Sequence, residues 1–305
     1  MKILIINTGI HEKNKQGLVK MLEYLHRSNT NNSNIQEIEY KIGTGTIADI
    51  QNYDIIYNPS KEINTSLYPN KKFIFGPHFS TFPNNHQLQS LQNNKYKNSI
   101  YIQPSEWVVQ LWKNMGAEQF LPIKSFPFPV NTEKFAPAPA PATIKNNVLV
   151  YYKHRSPQEF NQLKDFLIKQ NINFRLFDYR QRYNETDYLA YLQTCKYGIL
   201  LDAHESQGFA VEEALSCNVP LLVWNTQTMN QEHGSSYHPI PCTSIPYWDN
   251  SKCGEYFHHI SELPYAFQTF QNKLNNNQYN PRQYILDNLS TEKCAERFVT
   301  MINSI

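Results

Sequence analysis

The sequence lacks several features that would assign it to a membrane, disulfide-rich or metal-binding class. No apolar run in its 305 residues approaches the roughly 18 residues of a membrane-spanning helix. Its five cysteines form no C-x-x-C pair, so neither a disulfide framework nor a structural zinc site is indicated. It has no H-E-x-x-H motif and no D-x-D pair for a metal. The opening MKILIIN is too short for the apolar core of a signal peptide, so we expect a buried first strand and a cytoplasmic protein without a transmembrane segment.

Strong charge of one sign is also missing. The chain has 28 Lys and Arg residues against 26 Asp and Glu, a net charge of +2, so a nucleic-acid partner is not expected. An aromatic content of 13% and a hydrophobic content of 40% argue against intrinsic disorder. A chain of this length is enough for about two domains.

Short apolar strands alternate with helical segments along the chain, a pattern typical of parallel sheets covered by helices. Residues 136–142, APAPAPA, interrupt this pattern, because alternating prolines favour an extended spacer. We therefore predict an α/β protein with two Rossmann-like domains whose parallel sheets face a cleft. The predicted domains are an N-terminal domain (1–137), a C-terminal domain (138–280) and C-terminal helices (281–305) that pack back towards the first domain.

The predicted strands of the first domain are 2–7, 35–40, 54–57, 72–76 and 99–103, and its predicted helices are 16–27, 85–93 and 105–115. In the second domain the predicted strands are 147–152, 173–177, 197–202 and 219–224, and the predicted helices are 157–170, 186–195 and 209–217. The chain from 260 onward is predicted to be helical, with one helix opening at Ser290, a suitable N-cap.

The segment 198–224, GILLDAHESQGFAVEEALSCNVPLLVW, contains the strongest functional signal. A buried strand ends near Asp202, and Gly208 opens a helix whose first backbone N–H groups suit a phosphate or diphosphate. Glu205 and Glu213 are placed on either side of this anion site, where carboxylates could bind sugar and ribose hydroxyls. On spacing alone, a loop acid and a solvated helix acid explain the two glutamates equally well.

This segment resembles the signature of glycosyltransferase family 4, in which two glutamates eight positions apart bracket a glycine and precede a cysteine and a proline-led strand. The matching residues here are Glu205, Gly208, Phe209, Glu213, Ala214, Cys217 and Pro220. A second stretch, 104–135, is similar to the family's helix, short glycine loop and motif before the linker. The resemblance spans most of residues 99–225.

The resemblance implies the GT-B architecture, with the acceptor on the side of the N-terminal domain (1–137) and the donor on the side of the C-terminal domain (138–280). It also implies a nucleotide-diphosphate sugar as donor, a hydroxyl-bearing acceptor, no metal or other cofactor, and transfer with retention of anomeric configuration. It assigns Glu205 to the donor sugar, Glu213 to the ribose, and the amides of Gly208, Phe209 and Ala210 to sugar or phosphate oxygens. The family also has basic residues after the first strand of the second domain.

Lys153 and Arg155 are the candidates for that basic pair, although an ordinary solvated strand end is the alternative. The Lys-Gly pair that usually follows in the family is absent here. In the first domain the resemblance points to His78, which could equally be structural, and to Gly17 in the loop after the first strand. Tyr179 and Arg180 fall where the family recognises the nucleotide base.

The sequence therefore predicts a metal-independent retaining glycosyltransferase. Two alternatives stay open at this stage. One is a related nucleotide-sugar epimerase or phosphorylase, and the other is a non-catalytic protein that binds sugar nucleotides. Peripheral contact with a membrane is also left open.

Overall fold

The computed structural model describes residues 1–6, 9–28, 39–42, 47–59, 61–78, 81–82, 85–139, 145–181 and 183–305. Its contacts divide the chain into two compact units. The first contains Met1–Pro129 and Thr291–Ile305, and the second contains Val130–Ser290. No helix in these described ranges is both long and apolar enough to cross a membrane. Residues 140–142 of the predicted linker, residues 35–38 of a predicted strand and residue 7 of another lie outside the described residues.

The first unit contains a six-stranded parallel sheet. Its strands are β1 (Lys2–Ile5), β2 (Glu39–Ile42), β3 (Ile55–Asn58), β4 (Lys72–Phe75), β5 (Ser99–Gln103) and β6 (Ile123–Ser125), arranged in the order β2-β1-β3-β4-β5-β6. Its helices are α1 (Glu12–Ser28), α2 (Asn85–Asn93), α3 (Glu106–Asn114) and α9 (Thr291–Asn303). The central strand β3 is buried at every residue, as expected for a parallel strand covered on both faces.

The second unit contains a five-stranded parallel sheet. Its strands are β7 (Asn147–Lys153), β8 (Arg175–Asp178), β9 (Cys195–Asp202), β10 (Leu221–Trp224) and β11 (Gly254–Phe257), arranged in the order β11-β10-β9-β7-β8. Its helices are α4 (Pro157–Lys169), α5 (Glu185–Leu192), α6 (Phe209–Ser216), α7 (Leu263–Asn275) and α8 (Pro281–Asn288).

Alternate residues of β7 enter two separate apolar clusters of this second unit. Leu149 and Tyr151 pack with residues of α5, α6 and α8. Val148, Val150 and Tyr152 pack with residues of α4 and α7. Helices therefore cover both faces of the sheet, which leaves its carboxyl edge as the place where polar loops emerge.

The division between the units differs from the predicted boundary at residue 137. Residues 130–136 are bound to the second unit, because the Val130 N–H donates to the Leu289 carbonyl at 2.9 Å and the buried Phe135 joins the second unit's core. The Phe135 carbonyl also accepts bonds from the Ser216 hydroxyl at 2.6 Å and from Arg282 at 3.2 Å. These bonds join residues far apart in the sequence, so the local sequence pattern does not predict them.

The C-terminal helices, predicted as one segment, belong to different units. Helix α8 packs against α6 in the second unit. Helix α9 packs against α1 in the first unit, where Phe298 contacts Phe126 with ring centroids 5.7 Å apart. The chain therefore returns to the first unit at Thr291.

Candidate functional site

The carboxyl edge of the second sheet brings two predicted elements of the site side by side. Lys153 ends β7 and pairs in register with Asp202, which ends β9. Because the strands are parallel neighbours, both side chains lie at the same edge. The Ala203 N–H donates to the Lys153 carbonyl at 3.1 Å, so the loop after β9 starts bound to the end of β7.

Lys153 forms an ion pair with Glu205 in this loop. The ammonium contacts Oε1 of Glu205, and the two side chains are 18% and 16% exposed. Burial alone would lower the pKa of Lys153, but the direct contact with the Glu205 carboxylate outweighs it and raises that pKa. Burial would raise the pKa of Glu205, but the Lys153 charge outweighs it and lowers that pKa. Both groups are therefore charged near neutral pH.

The loop that presents Glu205 is fixed by the connection between β10 and β11. The Glu205 N–H donates to the Thr243 carbonyl at 3.0 Å. Asn225 Oδ1 accepts the Ser244 N–H at 2.8 Å and the Thr243 hydroxyl at 3.0 Å. The backbone of Glu205 is therefore connected, through Thr243, to Asn225 at the end of β10.

Gly208 caps the N-terminus of α6 in a left-handed conformation, with φ of 91° and ψ of 49°. A Cβ at this position would lie 3.6 Å from the Cβ of Glu205, and a residue with a side chain rarely adopts this φ. Among the described residues, the N–H groups of Gly208 and Ala210 have no protein acceptor. These donors, with the positive end of the helix dipole, suit an anion beside Glu205.

Glu213 lies further along the same helix and is only 4% exposed. Its charge acts on the buried Tyr188, whose hydroxyl donates to the Ala210 carbonyl at 2.9 Å. Phe209 and Ala210, at the start of the helix, are half-buried. The structure thus brings the Gly208–Ala210 amides and Glu205 together, while the predicted ribose role of Glu213 remains a prediction.

The sequence predicts Arg155 at the diphosphate site. In the structure its guanidinium is hydrogen-bonded inside the second unit instead. The residue is 1% exposed. Its Nε and Nη2 donate to Glu159 at 3.0 and 2.5 Å, and its Nη1 donates to the carbonyls of Asp202 and Trp224 at 3.1 and 3.0 Å. Arg155 therefore ties the ends of β9 and β10 to the start of α4, and direct contact with a diphosphate does not fit this geometry.

A capping box at the start of α4 explains where Glu159 lies. The Ser156 hydroxyl accepts the Glu159 N–H at 3.2 Å, and the Glu159 carboxylate accepts the Ser156 N–H at 3.1 Å. Pro157 occupies the first turn, where its missing N–H costs nothing. The same carboxylate then binds Arg155, so a local helix start also anchors the buried guanidinium.

Tyr179 and Arg180 follow β8, next to β7. The Lys153 ammonium lies 4.8 Å from the centroid of the Tyr179 ring, which is 47% exposed. Arg180 binds Asp178 through Nε at 3.2 Å and Nη2 at 3.0 Å. Tyr179 is therefore adjacent to the ion pair, and recognition of a base by either residue remains a prediction.

The two predicted site residues of the first unit have different surroundings. Gly17 lies inside α1 and not in the loop after β1 as predicted, and a Cβ there would lie 3.1 Å from Pro129 and 3.3 Å from Phe128. Its lack of a side chain thus serves close packing within this unit. His78 follows the cis Gly76–Pro77 bond at the end of β4 and is half-buried. Its role remains a prediction.

Sequence reasoning missed three polar residues near the ion pair. Asp202 is fully buried, and His204 lies with Nδ1 at 3.2 Å from Oε2 of Glu232. Burial lowers the pKa of His204 to about 4, so its imidazole is neutral near pH 7. The sequence could have identified Asp202 from its position at the end of an apolar strand, because a buried carboxyl is rare without a specific partner.

The comparisons with solved structures bear on the fold. A glycosyltransferase from Rickettsia africae is similar to this chain with a TM-score of 0.60 at 13% identity, over 99% of this chain and 98% of that one. The lipopolysaccharide outer core galactosyltransferase WaaB gives 0.54 at 14%, over 100% and 99%. Sucrose-phosphate synthase from Thermosynechococcus elongatus gives 0.55 at 10%, over 100% and 98%.

At these identities the similarity establishes the fold, two parallel-sheet α/β units of the GT-B type seen in those glycosyltransferases. No protein-family model matches the sequence, and no curated protein sequence is significantly similar to it.

Proposed function

We propose that this chain is a glycosyltransferase that moves a sugar from a nucleotide-diphosphate sugar to a hydroxyl-bearing acceptor. The observation that supports this function best is the Lys153–Glu205 pair beside the N-terminus of α6, at the carboxyl edge of a sheet with the fold of glycosyltransferases. The cation and the helix N-terminus suit a diphosphate, and the carboxylate can accept hydrogen bonds from sugar hydroxyls.

In this proposal the diphosphate binds Lys153 and the amides of Gly208 and Ala210. Glu205, kept ionised, accepts hydrogen bonds from hydroxyls of the transferred sugar, and Glu213 accepts those of the ribose. When the sugar–phosphate bond breaks, charge builds on the leaving diphosphate, and the Lys153 ammonium and helix N-terminus stabilise it. Transfer without a metal, and with retention of configuration, is part of the proposal and follows from the family resemblance.

Arg155 acts indirectly in this account. Two of its hydrogen bonds hold the ends of β9 and β10 in place, so it maintains the loop that presents Glu205. Lys153 has a different task, because it must exchange part of its contact with Glu205 for the diphosphate. Donor binding is therefore expected to weaken as salt rises.

A thermal-shift screen over nucleoside-diphosphate sugars tests the proposal. At least one should raise the melting temperature, and Glu213→Gln should weaken its affinity about 10- to 100-fold, because hydrogen bonds to a charged group contribute about 1.5–3 kcal/mol. Asp187→Asn, at an exposed position of α5, is the control and should bind normally.

No binding by any nucleotide sugar would refute the proposal, and unchanged affinity in Glu213→Gln would remove the ribose role. Turnover of the sugar nucleotide without an acceptor would instead indicate an epimerase, and phosphate-dependent turnover a phosphorylase. Binding without any turnover would indicate a non-catalytic protein.

A further inference from the structure

Asp202 is a fully buried carboxyl that is only partly satisfied by the protein. Its Oδ1 accepts the Ala203 N–H at 2.7 Å. Its backbone carbonyl accepts bonds from Arg155 at 3.1 Å and from the Ser244 hydroxyl at 3.0 Å, so its position is fixed. Its Oδ2, equally buried, receives no hydrogen bond from any donor in the described part of the chain.

A second carboxyl, that of Glu205, explains why Oδ2 of Asp202 receives no hydrogen bond. Asp202 pairs in register with Lys153, whose ammonium contacts Glu205, so the two carboxyls are neighbours and each shifts the pKa of the other. Two carboxylates cannot hydrogen-bond, because neither has a donor, and two like charges in a buried site repel each other. The pair therefore needs one proton between them, as in other buried carboxyl pairs.

The surroundings decide which carboxyl holds this proton. Burial raises the pKa of Asp202 well above its usual range, and the Glu205 charge adds to this, outweighing the opposing Lys153 charge. Glu205 is held ionised by direct contact with Lys153. The titratable and charged groups around the two carboxyls are Tyr151, Lys153 and Arg155 from β7 and the turn after it, His204 from the loop after β9, and Glu232 from the segment after β10.

We propose that Asp202 is a positioning residue for the transfer reaction, a neutral carboxylic acid that donates its O–H to Glu205 and holds that carboxylate in place for the donor sugar. This inference rests on the proposed function, because it assigns Glu205 to the sugar. The inference also explains why Glu205 has a second partner besides Lys153. Lys153 cannot serve Glu205 and a diphosphate fully at the same time, and Asp202 keeps Glu205 oriented when Lys153 turns to the phosphate.

The proton is detectable without any assay of activity. Infrared difference spectroscopy at pH 7 should show the C=O stretch of a protonated carboxylic acid in the wild-type chain, and this band should be missing from Asp202→Asn. If no such band is present in the wild type, the proposal is overturned, whether or not the variant folds.

The pH dependence of unfolding gives a second readout with a definite sign. Above the pKa of an unfolded Asp, about 3.9, the unfolded chain releases the Asp202 proton while the folded chain keeps it. Relative to Asp202→Asn, wild-type stability should therefore fall as pH rises above about 4, approaching tenfold in the unfolding equilibrium constant for each pH unit. Below about 4 the difference between the two chains should stop changing with pH, because Asp202 is protonated in both the folded and the unfolded state.

Asp178 at the end of β8 provides the matched control. Burial would raise its pKa, but its hydrogen bonds with Arg180 outweigh this and lower it. Relative to Asp178→Asn, wild-type stability should therefore fall as pH drops towards and below about 4, the opposite direction. The same direction in both variants would contradict the assignment of the proton to Asp202.

The effect on donor binding separates a positioning role from a purely structural one. Asp202→Asn keeps an N–H donor for Glu205 and should bind the nucleotide sugar within about threefold of wild type, whereas Asp202→Leu, with no donor, should bind at least tenfold more weakly. Wild-type affinity should fall at alkaline pH as Asp202 ionises, and this fall should be missing from Asp202→Asn. Equal affinity and equal pH profiles in all three chains would refute the role of Asp202.

If no nucleotide sugar binds the wild type, the proposed function fails, and the role of Asp202 in it fails as well. The infrared band and the unfolding profile would still report where the proton lies.

Discussion

Arg155 offers a direct test of the structure, because the sequence places it at the diphosphate and the structure places it in the interior. Replacing it with Met keeps the apolar length of the side chain and removes all four guanidinium hydrogen bonds. Glu159, 24% exposed, loses its cation, and the carbonyls of Asp202 and Trp224 lose a donor. Breaking a buried ion pair in this way costs about 3–5 kcal/mol.

For a domain of this size, each kcal/mol lowers the melting temperature by about 2–4 °C, so Arg155→Met should lower it by about 6–20 °C. Arg155→Lys should be intermediate, because an ammonium cannot reproduce the planar set of donors. Differential scanning fluorimetry measures both. Arg180→Met is the control, since the side chain is 56% exposed and its ion pair is expected to contribute much less, so its shift should be clearly smaller than that of Arg155→Met.

A normal melting temperature in Arg155→Met, together with lost donor binding, would refute this reasoning. It would mean that the guanidinium contacts the ligand and is not committed to the strand ends.

Two further predictions concern the loop beside Glu205. Gly208→Ala forces a side chain into a left-handed conformation, so we expect the free energy of unfolding to fall by about 1–2 kcal/mol. This loss should appear as a lower melting temperature, and donor binding should weaken. An unchanged melting temperature would contradict the observed φ. Burial lowers the pKa of His204 from 6.5 to about 4, so wild-type stability should fall by up to about 3 kcal/mol between pH 6.5 and 4 as the unfolded chain takes up a proton. This part of the pH dependence should disappear in urea unfolding of His204→Gln but persist in His238→Gln, at an exposed position; persistence in both would contradict the burial of a neutral His204.

The sequence predicts the central strands well because they are continuous apolar runs. It misses β6 and β11, which have three and four residues, contain a charged side chain and lie at sheet edges. Short edge strands are half-solvated, so their sequences do not differ enough from those of loops.

The candidate site likewise contains some residues that local sequence patterns predict and others whose position depends on distant parts of the chain. Glu205, Gly208 and Lys153 lie at strand and helix ends, which local patterns identify, and the structure brings them together. The burial of Arg155 depends on carbonyls 47 and 69 residues away. The proposed proton on Asp202 depends on its complete burial and on Lys153, which lies on a neighbouring strand. Neither is encoded in a short segment, so neither could be predicted from spacing.

The most direct test of the central claim is a transfer assay with the nucleotide sugar that the screen identifies and a panel of hydroxyl acceptors, in the presence and absence of a chelator. Mass spectrometry should show one sugar transferred for each nucleoside diphosphate released, and NMR should show the anomeric configuration of the donor retained in the product. The reaction should survive chelation and be lost in Glu205→Gln. Release of the diphosphate at the same rate in Glu205→Gln, or no transfer to any acceptor from a nucleotide sugar that binds, would contradict the account.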